Sequence, residues 1–167
     1  VRKAGIIISS DKGFKGERVD ESGILIKNLL ENMGYFIERH VILPDEKDML
    51  KKEMCHMADD LGVNLILTSG GTGFSKSDVM PEATKDVIER ETPGIEEAMR
   101  MESLKITKRA MLSRAVSGIR GDCLIVNMPG SPKAVKEMMD ILFPSIEHGI
   151  SILLGETGEC GTSVKGE

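Results

Sequence analysis

Cysteine and histidine are scarce in this 167-residue chain, and neither is clustered. Cys55, Cys123 and Cys160 are odd in number, far apart and without a C-x-x-C pair. That pattern speaks against a zinc knuckle or a disulfide framework and is the ordinary one for reduced cytoplasmic thiols. His40, His56 and His148 are equally scattered, which predicts packing or surface roles rather than metal ligation. No apolar run approaches the roughly 20 residues that cross a bilayer. No secretory signal is read at Val1, and the chain starts without Met. Excess positive charge is also missing: 22 Lys and Arg stand against 27 Asp and Glu, a net charge of −5, with the two signs interspersed. Neither a nucleic-acid surface nor a membrane surface is expected from that balance, although a local basic pocket for an anionic ligand is compatible with it.

What is present fits one globular domain, expected over residues 1–154, followed by a polar, glycine-rich and flexible tail over 155–167. Hydrophobic residues make up 40% of the chain and charged ones 29%, enough for a core and a solvated surface. Residues 4–9 (AGIIIS), 65–68 (LILT) and 123–128 (CLIVNM) are short continuous apolar runs, the mark of parallel strands buried on both faces. Residues 36–42 alternate and read as a further strand. Helices are predicted over 22–33, over a segment entered at Pro44-Asp45-Glu46 with Leu50, Met54, Met57 and Leu61 on one face, and over 81–91. Pro93-Gly94 marks a break before a helix over 95–104. Two helices, 133–142 and 146–154, are expected on either side of Pro144. Residues 10–20 read as a loop. Strands alternating with helices predict an α/β fold whose mostly parallel sheet is covered by helices on both faces. Its site belongs beyond the carboxyl ends of the strands.

One run stands out at that edge. Leu65-Ile66-Leu67-Thr68 empties into Ser69-Gly70-Gly71-Thr72-Gly73, and Asp78 follows just before the predicted helix at Pro81. Glycines let backbone approach a ligand at positive φ, and hydroxyls add donors, so the run suits an anion such as phosphate. A tight strand-to-helix turn explains the same residues equally well. A P-loop is excluded because Phe74-Ser75 separate Gly73 from Lys76-Ser77, and a dinucleotide fingerprint fails because Lys76 stands where its third glycine belongs. Taken singly, Asp45 and Asp78 read first as helix caps. Taken together beside a phosphate loop, they also suit Mg²⁺, which takes one or two carboxylates plus substrate phosphates. The Pro129–Pro132 turn reads as a rigid connection or as a further wall of the same cleft, with Ser131 as donor.

Several separate motifs, in order, resemble the MoaB/Mog family of molybdenum-cofactor biosynthesis proteins. They are Leu43-Pro44-Asp45-Glu46, Thr68 to Gly73, Asp78-Val79-Met80-Pro81-Glu82-Ala83-Thr84, Glu91-Thr92-Pro93-Gly94, Ser113-Arg114 and Asn127 to Pro132. The resemblance implies a three-layer α/β sandwich, a homotrimer, molybdopterin and ATP as ligands with Mg²⁺, and contact with other proteins of cofactor biosynthesis. It implies adenylylation of the terminal phosphate of molybdopterin with release of pyrophosphate. By motif, Asp45 and Asp78 become the catalytic, metal-binding carboxylates, while Ser10, Asp11, Ser69, Gly70, Gly71, Thr72, Gly73, Gly130, Ser131 and Pro132 line the ligand cleft. The family often carries Arg just before the second aspartate and Thr two residues after it; Ser77 and Met80 occupy those places here, with Lys76 the nearest cation. Those departures define the alternative expectation, a molybdopterin carrier that no longer adenylates. The reaction itself asks little of acid–base chemistry, because a phosphate monoester with a second pKa near 6 is already ionised at neutral pH. Positioning and charge neutralisation must supply the acceleration.

Overall fold

The computed structural model describes residues 1–156. They form a six-stranded sheet whose order, edge to edge, is β2 (Phe36–Leu43), β1 (Lys3–Ser9), β3 (Leu65–Ser69), β6 (Cys123–Met128), β5 (Ser117–Arg120) and β4 (Arg90–Glu91). Strands β1, β2, β3 and β6 are parallel. The apolar runs form buried strands because both faces are covered. Ile6, Ile8, Leu65, Leu67, Leu124, Val126 and Met128 face one layer; Ile7, Ile66, Cys123 and Ile125 face the other. On the first face lie α2 (Glu21–Asn32), α5 (Pro93–Leu104) and α6 (Pro132–Leu153), and on the second α3 (Lys47–Cys55) and α4 (Met80–Val87). The result is a three-layer sandwich. Leu50, Met54 and Met57 pack fully buried as their spacing predicts, with one wider turn at His56–Asp60 carrying the helix on toward Gly62.

The structure corrects the sequence expectation in three places. First, β5 (Ser117–Arg120) and the two-residue β4 (Arg90–Glu91) extend the sheet antiparallel to β6 and to each other, respectively. Short strands with small and charged residues leave no apolar run to read. The helix expected over 81–91 accordingly stops at Val87. Second, Pro144 does not end a helix: α6 continues through it. Pro144 and Asp140, whose carbonyl loses its partner, are both exposed, while Leu142, Phe143, Ile146 and Ile150 keep one buried stripe across the proline. The missing hydrogen bond falls on the solvent side, and packing of the opposite face holds the helix together. Third, the loop over 10–20 contains a one-turn helix, α1 (Asp11–Phe14), capped by the Ser10 hydroxyl, which accepts from the Gly13 N–H at 3.0 Å. Gly155 and Glu156 close the last turn of α6; the remainder of the expected tail, 157–167, lies outside the described residues. Among the described residues no helix is long and apolar enough to cross a membrane.

Strand register decides where the loops meet. Ser9 pairs with Leu43, Ile8 with Ser69, and Ser69 with Met128. Four parallel strands therefore end level, and their following loops share one edge. The chain leaves β1 for β2 on one side and reaches β3 on the other, so the strand order reverses between β1 and β3. Open α/β sheets form their crevice at such a reversal.

Candidate functional site

A cleft of about 530 Å³ opens at that point. Ser9 and Ser10 from the end of β1, Asp45 after β2, Ser69, Gly70 and Gly71 after β3, and Gly130, Ser131 and Pro132 after β6 all line it, together with Asp78. The backbone at Gly70 and Gly71 takes φ of +92° and +73°. A side chain at Gly70 would also collide with the carbonyl oxygen of Ser9, so glycine is required there on two counts. The Ser69 hydroxyl donates to the Pro129 carbonyl at 2.7 Å and thereby ties the glycine turn to the β6 turn. Ser131 caps α6, its hydroxyl accepting from Ala134 N–H at 3.2 Å.

Neither carboxylate is a helix cap. The residue preceding α3 is Glu46, and the one preceding α4 is Val79; neither makes a side-chain capping bond. Asp45 instead accepts from the Ser9 hydroxyl at 2.5 Å, and its backbone N–H donates to Asp11 Oδ1 at 2.8 Å. Asp78 accepts from Ser75 N–H at 3.0 Å, closing its own loop. Each carboxylate keeps one oxygen without a protein partner among the described residues. Both carboxylates thus line one cleft, and neither serves a helix end.

Arg114 holds the second loop in shape. Its guanidinium donates to the carbonyls of Gly73 at 2.7 Å and Asp78 at 2.8 Å and pairs with both oxygens of Glu82 at 2.8 and 2.9 Å. Its own backbone N–H donates to the Thr72 carbonyl at 2.9 Å. Beneath the site, buried Asn127 donates to the Thr68 and Thr84 hydroxyls at 3.0 and 2.9 Å and accepts from Val116 N–H at 3.1 Å, joining β3, α4 and the chain entering β5.

Not every residue carried over by motif faces this cleft. Asp11 braces Asp45 from behind it, whereas Thr72 and Gly73 line an adjoining cavity of about 410 Å³ with Arg100, Arg109 and Ser113. Gly130 and Ser131 stand between the two cavities and line both. Lys76 is exposed and lines neither; the cation on the cleft wall is Arg18. Sequence reading also passed over Ser9, Asp20 and Ser22. Asp20 caps α2 through Gly23 N–H at 2.8 Å and meets His40 at 2.9 Å, and the Ser22 hydroxyl donates to the Gly130 carbonyl at 2.7 Å. Ser9 was findable in principle, as the hydroxyl that ends an otherwise apolar strand. Among the described residues no group of three or more His, Cys, Asp or Glu is placed to share a metal. Burial pushes the Cys123 thiol up to about 12, so it is no nucleophile.

Comparison with known proteins now gives the architecture a family. Residues 5–148 match the model of a family described as a probable molybdopterin binding domain. This chain belongs to that family. Among its curated members, the molybdopterin adenylyltransferase of Helicobacter pylori strain J99 is 40% identical over 153 residues, covering 90% of this chain and 87% of the relative. Of solved structures, the molybdopterin biosynthesis enzyme MoaB of Thermus thermophilus superposes with a TM-score of 0.86 at 42% identity, covering 93% of this chain and 98% of the other. The tungsten cofactor synthesizing protein MoaB of Pyrococcus furiosus gives a TM-score of 0.83 at 32% identity, covering 91% and 96%. Against these members of the molybdopterin-binding family, the three-layer sandwich described above is the shared fold.

Proposed function

We propose that this chain is a cytoplasmic molybdopterin adenylyltransferase that uses MgATP, working as a homotrimer in molybdenum-cofactor biosynthesis. A terminal phosphate oxygen of molybdopterin attacks the α-phosphorus of ATP. A new P–O bond forms, the bond from that phosphorus to the bridging oxygen breaks, and pyrophosphate leaves. The nucleophile is already an anion, so the site needs no strong base. Among the described residues no histidine or cysteine lines the cleft, in agreement with that chemistry.

The observation that carries this reading is the pair Asp45 and Asp78, brought from separate loops to one cleft with neither engaged in capping. Asp45 and Asp78, each with one unpartnered oxygen, would hold Mg²⁺, which would supply charge neutralisation for the leaving pyrophosphate. The protein's own part is positioning. Ser9 and Asp11 fix the Asp45 loop, Arg114 fixes the Asp78 loop, and the positive-φ glycines let phosphate approach the backbone. Gly130 and Ser131, shared between the two cavities, give two bulky anions neighbouring seats. Assembly is supported by an apolar cavity of about 490 Å³ between α5 and α6, lined by Ile95, Ala98, Ile141 and Leu153 and sharing no lining residue with the cleft. The free thiols of Cys55 and Cys123 agree with a reducing compartment.

The test is incubation with molybdopterin, MgATP and inorganic pyrophosphatase, following adenylylated molybdopterin by mass. Asp45→Asn and Asp78→Asn keep shape but lose charge, and each is expected to slow product formation by about a hundredfold, roughly 3 kcal/mol of barrier. Tight molybdopterin binding with no product from the parent protein would make it a carrier instead.

A further inference from the structure

The cleft wall is short of positive charge. Asp20, Glu21, Asp45 and Asp78 supply four carboxylates, and among the described residues Arg18 is the one Lys or Arg that lines it. A polyanion entering such a site meets net repulsion that a single divalent ion does not remove. Arg18 is also unusual in what it leaves undone. Asp20 and Glu21 lie two and three residues along, yet its guanidinium makes no hydrogen bond or ion pair with any described residue. Asp20 is occupied by Gly23 N–H and His40, and Asp45 by Ser9. Among the described residues nothing in the fold engages the guanidinium, which is left available at the cleft.

The backbone that carries Arg18 is not loose. Lys15 N–H donates to the Asp11 carbonyl at 3.1 Å, Gly16 N–H to the Gly13 carbonyl at 3.1 Å, and Glu17 N–H to the Lys12 carbonyl at 2.9 Å. On its other side Glu21 N–H donates to the Val19 carbonyl at 3.1 Å, opening α2. The loop is thus anchored before and after Arg18, while the side chain itself is exposed at the cleft. Guanidinium is the planar fork that grips a phosphate through two N–H donors at once.

We propose that Arg18 is the phosphate-binding cation of this cleft, taking a phosphate group of the bound substrate that the two aspartates and their metal do not reach. This rests on the reading of the cleft as a site for phosphorylated substrates. It makes Arg18 a binding residue, and it assigns the charge complement of the site to the loop before α2 instead of the Lys76-Ser77 segment, whose lysine lies away from the wall.

The experiment is calorimetric titration of the intact protein with inorganic tripolyphosphate and Mg²⁺, at two salt concentrations, for the parent, Arg18→Ala and Arg18→Lys. Arg18→Ala is expected to weaken binding about ten- to hundredfold and to flatten its salt dependence, with Arg18→Lys between the two. Equal affinity of the parent and Arg18→Ala overturns the proposal. An adenylylation assay in parallel identifies the source of the phosphate. A raised KM for ATP in Arg18→Ala assigns the grip to the triphosphate, and a raised KM for molybdopterin assigns it to the monoester. Unchanged KM for both, in a protein that makes product, overturns it as well. If the parent makes no product while Arg18→Ala still loses tripolyphosphate, the adenylyltransferase reading fails and the arginine assignment stands.

Discussion

At the edge where the parallel strands begin, Arg2 donates to Glu147 at 2.9 Å, to Ser151 at 2.5 Å and to Glu156 at 2.7 Å, and the Tyr35 hydroxyl donates to the same Glu147. Burial and the neighbouring Glu147 carboxylate raise the Tyr35 pKa, so the phenol stays a donor throughout the working range. At the edge where the same strands end, Asp45 and Asp78 each keep an oxygen unpartnered, and Arg18 has no partner among the described residues. One edge consumes its polar groups in tying α6 to β1 and β2. The other holds them ready. The difference marks the candidate functional edge by its unfinished hydrogen bonding, since the sheet supplies comparable backbone ends on both sides.

The largest effect that can break this contrast is kinetic. Asp78→Asn should lower the rate of adenylyl transfer by about a hundredfold while leaving the thermal midpoint within about a degree or two of the parent. Activity by product mass and stability by calorimetry on the same preparation check it. A collapsed midpoint with full specific activity in the folded fraction would return Asp78 to a structural role.

Glycines at the two ends of β3 give the next largest test. Gly62, three residues before the strand, has φ +66° and nothing within 4 Å of an added Cβ. Gly70, just after the strand, has φ +92° and the Ser9 carbonyl in the way. Gly62→Ala should cost about 1 kcal/mol, the ordinary penalty of a left-handed backbone. Gly70→Ala should cost about 2–4 kcal/mol in urea unfolding and also weaken ATP binding, because the backbone it displaces carries the Ser9 that orients Asp45. Equal losses at both glycines would mean the close approach at Gly70 is relieved by a local shift.

Smaller again is the effect of opening the tied edge. Arg2→Ala should lower stability by about 1 kcal/mol, because its pairs with Glu147 and Glu156 are partly solvated. The rate of adenylyl transfer should not change. A rate that falls with Arg2→Ala would show that the two edges communicate through the sheet.

The sandwich was legible because the strands buried on both faces are apolar without interruption, a pattern few other structures produce. Its antiparallel margin was not, because Ser117-Gly118-Ile119-Arg120 carries no periodic signal and is held by pairing with β6. Pro144 was misread for a related reason: local propensity was outweighed by the buried stripe of α6. In the site, the glycines and the two aspartates stood out as residue types in a pattern, and the family resemblance sharpened them. Ser9, Arg18 and Ser22 did not, since each acquires its place from the level ending of strands far apart in sequence. The capping reading of Asp45 and Asp78 failed on geometry alone, each helix beginning one residue later than its aspartate would need.

Glu96 offers the finest version of the contrast, a carboxylate whose charge is opposed by burial although Arg100 lies near enough to favour it. It sits buried on α5 in a hydrogen bond with Ser117, whose hydroxyl also lies 2.8 Å from the Thr92 carbonyl. Burial, the larger cause, raises the Glu96 pKa against the opposing pull of Ser117. A hydroxyl has one proton, so protonated Glu96 can donate to Ser117 while Ser117 donates to Thr92, whereas ionised Glu96 must take that proton for itself. Burial outweighs the pull of Ser117, and the folded state favours the protonated acid. Its contribution to stability is complete below the unfolded-state value, near 4.3, and is lost as pH rises through the higher folded value. Glu96→Gln retains a donor at every pH. Thermal midpoints measured from about pH 4 to pH 8 should show the variant level with the parent at the acid end and above it at neutral pH, with adenylyl transfer unaltered. A variant less stable than the parent at the alkaline end would show that the ionised carboxylate is held by its hydroxyl partner more strongly than burial opposes it.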